Sequence, residues 1–306
     1  MGAAVPWSTP PKASSTPCAT PAAGLPDGSV VLGSSSDLPP APRVLWTYWK
    51  EGQLPPIVQA CILTWQRFHP DLRIQVVTPA TVTTFLPDLH LGGLQWLDSP
   101  ARESDVVRLH LLAAYGGVWL DASCLLAAPL DFCAGVFAAR GPEFTGFYMD
   151  MFTTQLCWPV VESWAFAARP GSPFVRAWLQ EFMAVPNDVK GVARALHTLK
   201  DTRHVDTQAI RGEHYLFIHV AAQAVMQSGT LPLSMHLFSA VQGPYKYVND
   251  AKGNTLAAVQ ALMDNFHPRR APQRYSFYKL RNRERAAMLP AMQTRILQRA
   301  QHALRS

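Results

Sequence analysis

Three carboxylates and one arginine in the middle of the chain carry the chemistry this sequence offers. Asp105 and Arg108 stand three residues apart in Ser104-Asp105-Val106-Val107-Arg108, a spacing that puts both on one face of a helix. On an exposed helix such a pair is an ordinary ion pair worth about 0.3–0.5 kcal/mol. Here Val106, Val107, Leu109, Leu111, Leu112 and Ala113 make the segment apolar nearly all round, so the pair is expected inside the protein. A buried, oriented Asp/Arg pair presents acceptors and a planar donor fork to ligand hydroxyls. Asp121 and Glu162 are single acids inside apolar runs, Val118 to Leu126 and Val160 to Ala168. Burying such a carboxylate is costly unless it is paired, hydrogen-bonded or bound to a cation. Taken alone, each also reads as a structural acid bonding nearby backbone N–H groups. Gly116-Gly117 lets backbone approach a ligand closely, and serves equally as a plain helix stop. The closeness of Asp105, Arg108, Gly116, Gly117 and Asp121 along the chain favours one compact site.

The elements that must position these residues follow from patterning. Val44 to Trp49 is a β-branched and aromatic run of strand length. Pro55-Pro56 opens a helix that His69-Pro70 ends, and Leu72 to Val77 is a second strand. Ser104 is the expected N-cap of the Asp105/Arg108 helix, with Gly116-Gly117 as its stop. The apolar runs around Asp121 and Glu162 read as core strands, followed by helices at about Phe174 to Met183 and Tyr215 to Met226. Alternating strands and helices predict an α/β sandwich around a mainly parallel sheet, where ligands bind at the carboxyl ends of the strands.

Composition bounds the rest. The 306 residues are 48% hydrophobic and 16% charged, which excludes a wholly disordered chain. Residues 1–42 hold nine of the 26 prolines and few charges, and are expected to form a disordered leader. From Arg269 to Ser306, ten basic residues and one acid give +9, leaving −3 for the remainder of a chain of net charge +6. A slightly acidic body excludes a general polyanion binder, so no nucleic-acid partner is expected. After Pro290, Met292, Ile296, Ala300 and Leu304 recur every four residues among arginines. Residues 284–306 thus predict a basic amphipathic helix, either docked on the domain or lying on an anionic membrane surface. The five cysteines show no C-x-x-C pair and are expected to be buried free thiols. No run has the length of a membrane helix, and no signal-peptide core is evident, so a cytoplasmic or membrane-peripheral protein is favoured, with a Golgi lumen open if an anchor lies upstream.

Ser104-Asp105-x-x-Arg108, followed by Leu-Leu-x-x-Tyr-Gly-Gly-Val-Trp-Leu-Asp121-Ala-Ser123, resembles the nucleotide-sugar site of family 32 glycosyltransferases in their capsular polysaccharide synthesis branch. Pro42 to Trp49 with Pro56-Ile57-Val58, Val161 to Ala168, and Phe277-Tyr278-Lys279-Leu280 are similar to further parts of that branch. The likeness runs from roughly Pro42 to Arg283 and is strongest from Ala101 to Leu126. It implies a GT-A fold in one α/β/α domain, taken as residues 43–283. It also implies a nucleoside-diphosphate sugar donor, a saccharide, glycoconjugate or lipid-linked acceptor, and transfer with retention of configuration. By the same resemblance Asp105 and Arg108 hold donor-sugar hydroxyls. Trp46, Thr47 and Tyr48 line the base, Gly116, Gly117 and Lys279 belong to the donor site, and Glu162 faces the acceptor. Asp121 serves the ribose or a divalent cation, manganese or magnesium. The wider family has Asp-x-Asp where this chain has Asp121-Ala122-Ser123. Either Ser123 holds a metal-bound water beside Asp121, or Lys279 or an arginine of the basic tail neutralises the diphosphate directly. His236 and His267 are candidate late metal ligands. A non-catalytic sugar-nucleotide or glycan binder is the alternative function that the missing acid leaves open.

Overall fold

The computed structural model describes residues 22–25, 27–188, 190–202, 204–266 and 274–305. Two short strands, β1 (Ala22–Gly24) and β2 (Val30–Leu32), precede β3 (Val44–Tyr48), α1 (Pro56–Phe68), β4 (Arg73–Val77) and α2 (Val82–Phe85). Next come α3 (Pro100–Tyr115), β5 (Gly117–Leu120), β6 (Cys124–Leu126), α4 (Ala134–Phe137), β7 (Phe144–Tyr148) and β8 (Val161–Ala168). Helices α5 (Pro173–Met183), α6 (Gly191–Thr202) and α7 (Phe217–Gln227) lead to β9 (Met235–Ser239), α8 (Lys246–Asp250) and α9 (Thr255–Asn265). The chain closes with β10 (Phe277–Lys279), α10 (Asn282–Ala287) and α11 (Pro290–Arg305).

Eight strands form one sheet in the order β1-β2-β9-β7-β8-β5-β3-β4, while β10 and β6 pair as a separate ribbon. Following the pairings across the sheet, β8 and β2 run against the other six strands. The expected mainly parallel α/β sheet is therefore present in strand direction. The reversal of β8 has a consequence for the site, because it brings the start of β8 to the edge where β3, β5 and β7 end.

Period-2 alternation distributes the central strands between two cores. On β3, Val44, Trp46 and Tyr48 join the cluster that contains α3, α5 and α7. Leu45 joins the cluster on the opposite face, with Ile57, Cys61 and Trp65 of α1 and residues of α9 and α11. Both faces of the sheet are covered, which is why these strands read as continuous apolar runs rather than alternating ones.

Four expectations are corrected. The N-cap of α3 is Ser99, whose side chain accepts from Arg102 N–H, and Pro100 takes the first helical position. Ser104 lies inside the helix. The run Val118 to Leu126 is two strands, β5 and β6, broken where Cys124 N–H turns back to the Asp121 carbonyl at 2.9 Å. The leader does not extend to Pro42. Strand β2 pairs with β9 and buries Val30 and Leu32, and the Tyr148 hydroxyl donates to the Gly28 carbonyl at 2.8 Å. The buried Arg169 guanidinium donates to the carbonyls of Leu38, Gly135, Ala138 and Pro142, fastening residues 36–42 to the domain. Composition misled here because a few apolar residues suffice to cover a sheet edge that would otherwise leave unpaired backbone groups. Residues 1–21 lie outside the described residues. Finally, Cys61, Cys124 and Cys133 are buried free thiols as expected, whereas Cys157 is disulfide-bonded. Cys18 lies outside the described residues.

Helix α11 packs on α1, burying Ile296 and Ala300. The expected single helix over residues 284–306 is instead the end of α10 and a separate α11 that starts at Pro290; for α11 the docked alternative is the one observed, and a membrane-surface role would rest on its arginines. Trimming one methyl in this seam, Ile296→Val, is expected to cost about 0.5–1.5 kcal/mol in urea denaturation. An unchanged midpoint would show that the helix contributes nothing to the fold. Among the described residues no helix is long and apolar enough to cross a membrane.

Candidate active site

The carboxyl ends of β3, β5, β7 and β9 and the start of the reversed β8 meet along one edge of the sheet. Strand β8 bulges there. Phe166 pairs with Gly146 and Val161 with Tyr148, so β8 spends more residues than β7 on the same span. Such a bulge re-aims side chains beside a site. Here it presents Glu162 and Ser163.

Arg108, projecting from the third turn of α3, is the hub. Its Nη1 donates to Asp105 Oδ1 at 2.5 Å and to Ser163 Oγ at 2.6 Å. Its Nη2 donates to Asp121 Oδ1 at 2.7 Å and to Ser104 Oγ at 3.2 Å. The guanidinium also lies 5.2 Å from the Trp119 ring centre. The residue is only 3% exposed, so this is a buried network rather than a surface ion pair. Asp121 follows the last residue of β5, with its N–H bonded to the Trp164 carbonyl at 2.8 Å. Its Oδ1 also accepts from Trp119 Nε1 at 3.1 Å, and its Oδ2 accepts from Lys279 Nζ. The ammonium bonds Ser123 Oγ as well, at 3.1 Å. Lys279 reaches this point because β10 pairs antiparallel with β6, setting Lys279 opposite Cys124.

Burial pushes the Asp105 carboxyl above its ordinary value; Arg108 offsets this only in part, and the Asp121 charge adds to it. Burial acts on Asp121 in the same sense, but the charges of Lys279 and Arg108 outweigh it and hold that carboxyl below its ordinary value. Two carboxylates sharing one arginine are thereby pushed apart in acidity. Asp121 is the one fixed as an anion.

Of the residues expected from sequence, Asp105, Arg108, Asp121, Ser123 and Lys279 come together. Glu162 lies next to them but pairs elsewhere: it is 5% exposed, with Oε2 3.2 Å from His219 Nε2 on α7. Its neighbour Ser163, rather than Glu162 itself, touches Arg108. Five expected donor contacts are corrected. Trp46 is 2% exposed, packed edge-on against Phe85, with its Nε1 donating to the Gly116 carbonyl at 3.1 Å. Thr47 is fully buried, so neither residue offers a face to a base. The Tyr48 hydroxyl donates to Glu103 Oε2 at 2.9 Å, and Lys50 bonds the other oxygen, tying the end of β3 to the first turn of α3. Gly116 and Gly117 serve packing. Their φ angles are 67° and 102°, and a Cβ would lie 2.7 Å from Pro170 N at Gly116 and 2.8 Å from the Val44 carbonyl at Gly117. Gly116 caps α3 and Gly117 begins β5, about 13 Å from Asp121 at 3.3 Å per residue. His236 bonds Ser29 on the far edge of the sheet, and His267 lies outside the described residues.

Sequence reasoning missed Ser163, Trp119 and Ser104 as partners of Arg108, and His219. The polar His219 on the apolar face of Phe217 to Met226 was the available signal. It also missed Asp150, just past the end of β7, whose Oδ1 accepts from Ser239 at 2.6 Å and whose Oδ2 accepts from Val241 N–H.

The residues present do not fit the divalent cation that the resemblance implies. Both oxygens of Asp121 are bonded by two cationic side chains, and Ser123 Oγ is taken by one of them. Among the described residues no group of three or more His, Cys, Asp or Glu could hold a metal. The Lys279 ammonium already offsets the charge of Asp121 and would repel a divalent ion beside it. Of the tail arginines that could have served the diphosphate, Arg281 and Arg283 both bond the buried Glu284.

Residues 34–155 match the family described as capsular polysaccharide synthesis protein. That span contains Asp105, Arg108, Asp121 and Ser123 and bears out the resemblance read from them; it ends before Glu162 and Lys279. The O-glycosyltransferase braB of Annulohypoxylon truncatum is 30% identical over 157 residues, 45% of this chain and 36% of that protein. The glycosyltransferase afumC of Aspergillus fumigatus is 33% identical over 103 residues, 29% of this chain and 26% of that protein. This chain thus spans about a third or less of each relative's length. Among solved structures, the PaToxG glycosyltransferase is similar over 62% of this chain and 88% of its own, at 10% identity and a TM-score of 0.35.

Proposed function

We propose, from the match of residues 34–155 to the capsular polysaccharide synthesis family and from the network at the sheet edge, that this chain is a glycosyltransferase. It takes a nucleoside-diphosphate sugar and passes the sugar to a hydroxyl of a saccharide or glycoconjugate, with retention of configuration. The observation that carries the reading is the Arg108 hub. One buried guanidinium holds Asp105 and Asp121 at the carboxyl edge of the strands, where ligands of such sheets bind.

In the transfer, the bond between the anomeric carbon and the diphosphate oxygen breaks and its electron pair leaves with the diphosphate. The acceptor oxygen bonds to the anomeric carbon on the face the diphosphate leaves, and its proton passes to the departing diphosphate oxygen. The site's own groups divide the work. Asp105, its geometry set by Arg108, accepts hydrogen bonds from sugar hydroxyls. Asp121 fixes Arg108 and Lys279 in place, and these supply positive charge pre-positioned where the leaving group gains negative charge. Glu162 and His219 lie on the β8 and α7 side, where the acceptor would enter.

A panel of sugar nucleotides, assayed for release of free nucleoside diphosphate, tests the reading. At least one donor is expected to turn over, and Asp121→Asn to lower the rate by about 100-fold. Binding of a donor without turnover would favour a non-catalytic sugar-nucleotide binder, and unchanged rates in Asp121→Asn would remove Asp121 from the chemistry.

A further inference from the structure

Lys279 occupies the two side chains, Asp121 and Ser123, to which the resemblance assigns a divalent cation. Its ammonium bonds Asp121 Oδ2 and Ser123 Oγ, the side chains at the first and third positions of the Asp-x-Asp motif. It is built into this place. The Lys279 N–H donates to the Pro244 carbonyl at 3.1 Å, the Lys279 carbonyl accepts from the buried Tyr247 hydroxyl at 2.8 Å, and the residue is 8% exposed. The Trp164 ring centre is 5.6 Å from Nζ and closes another side. Ser123 suits a lysine better than an aspartate would, since a second carboxylate would draw in the divalent ion that the ammonium excludes.

We infer that the Lys279 ammonium takes the place of the divalent cation at the departing diphosphate, so that the nucleotide binds and the sugar is transferred without metal. An ammonium has three N–H donors. Two serve Asp121 and Ser123, which aim the group, and the third is left for a phosphate oxygen. When the bond from the anomeric carbon breaks, the electron pair arrives on a diphosphate oxygen already facing a fixed positive charge, the task otherwise given to a metal ion. This inference rests on the proposed glycosyltransferase reading.

The test uses the full chain after EDTA treatment, with UDP and GDP as probes in titration calorimetry and manganese alone in electron paramagnetic resonance. Wild type is expected to bind one of the nucleotides in EDTA, with manganese or magnesium changing the affinity by no more than about twofold. The free-manganese signal is expected to be undiminished by the protein. Lys279→Ala should weaken nucleotide binding by about tenfold or more, with no rescue by manganese, and Lys279→Arg should recover part of it. Circular dichroism checks that the variants fold, and the wild-type measurements stand without them. Affinity that collapses in EDTA, or tight manganese binding by wild type, overturns this inference and leaves the glycosyltransferase reading intact. Failure of both nucleotides to bind wild type in every condition overturns the two together.

Discussion

Replacing Arg108 by alanine is expected to cost about 3–5 kcal/mol of folding stability and to abolish donor binding. The guanidinium is the common partner of Asp105, Asp121, Ser163 and Ser104, and its loss leaves Asp105 and Asp121, whose side chains are 15% and 23% exposed, facing each other with Lys279 on Asp121 as the remaining cation. Breaking a largely buried network by removing one member costs more than the network contributes, because the remaining charges have little water to turn to. Arg108→Lys should recover little, since a single ammonium cannot span four acceptors on three elements. Urea denaturation of both variants at neutral pH gives the measurement. If Arg108→Ala unfolds within about 1 kcal/mol of wild type, the hub is a surface ion pair after all.

Glu143→Gln is expected to stabilise the protein at alkaline pH by about 3 kcal/mol and to do much less at pH 5. Glu143 is 2% exposed, and its Oε1 has no partner among the described residues. Burial pushes its carboxyl up to about 7, although Ser172 and the Phe174 N–H at the start of α5 bond it and pull the other way. The unfolded chain gives up this proton near the ordinary value of 4.5, the folded chain near 7. Between those values the native state holds more protons, so stability is full below the window and declines as pH rises through it. Glutamine keeps an acceptor for Ser172 and Phe174 and removes the charge. The check is a series of urea midpoints from pH 5 to pH 8: the wild-type curve should fall relative to the variant's, and parallel curves would show that Glu143 does not titrate there.

How much of the site could be read in advance depends on the distance over which its geometry is set. Asp105 and Arg108 face the same way because a helix repeats every 3.6 residues, and that pairing is visible in five consecutive letters. The cap of α3 illustrates the limit of the same logic. Ser99 and Ser104 are both competent caps, and Pro100, which fits the first helical position and lacks the N–H a later position needs, decides for Ser99. The Gly116-Gly117 pair was legible as a helix stop, but the backbone it approaches belongs to β3 and to the turn after β8, not to a ligand. Only the folded arrangement distinguishes these.

By itself the sequence determined the alternation of strands and helices, the burial of an Asp/Arg pair in α3, and an acid at the end of β5, since each follows from local periodicity and from the cost of burying charge. The tertiary structure decided which charges meet. Lys279 is 158 positions from Asp121 and reaches it only because β10 pairs with β6. Ser163 reaches Arg108 only because β8 runs backwards and bulges at the sheet edge. The same packing turned Trp46 inward and gave the apolar stripe of α11 to α1. No period in the chain encodes these encounters, because they depend on the order of strands and on which faces are already covered. In this protein they bring the Lys279 ammonium to the carboxylate of Asp121.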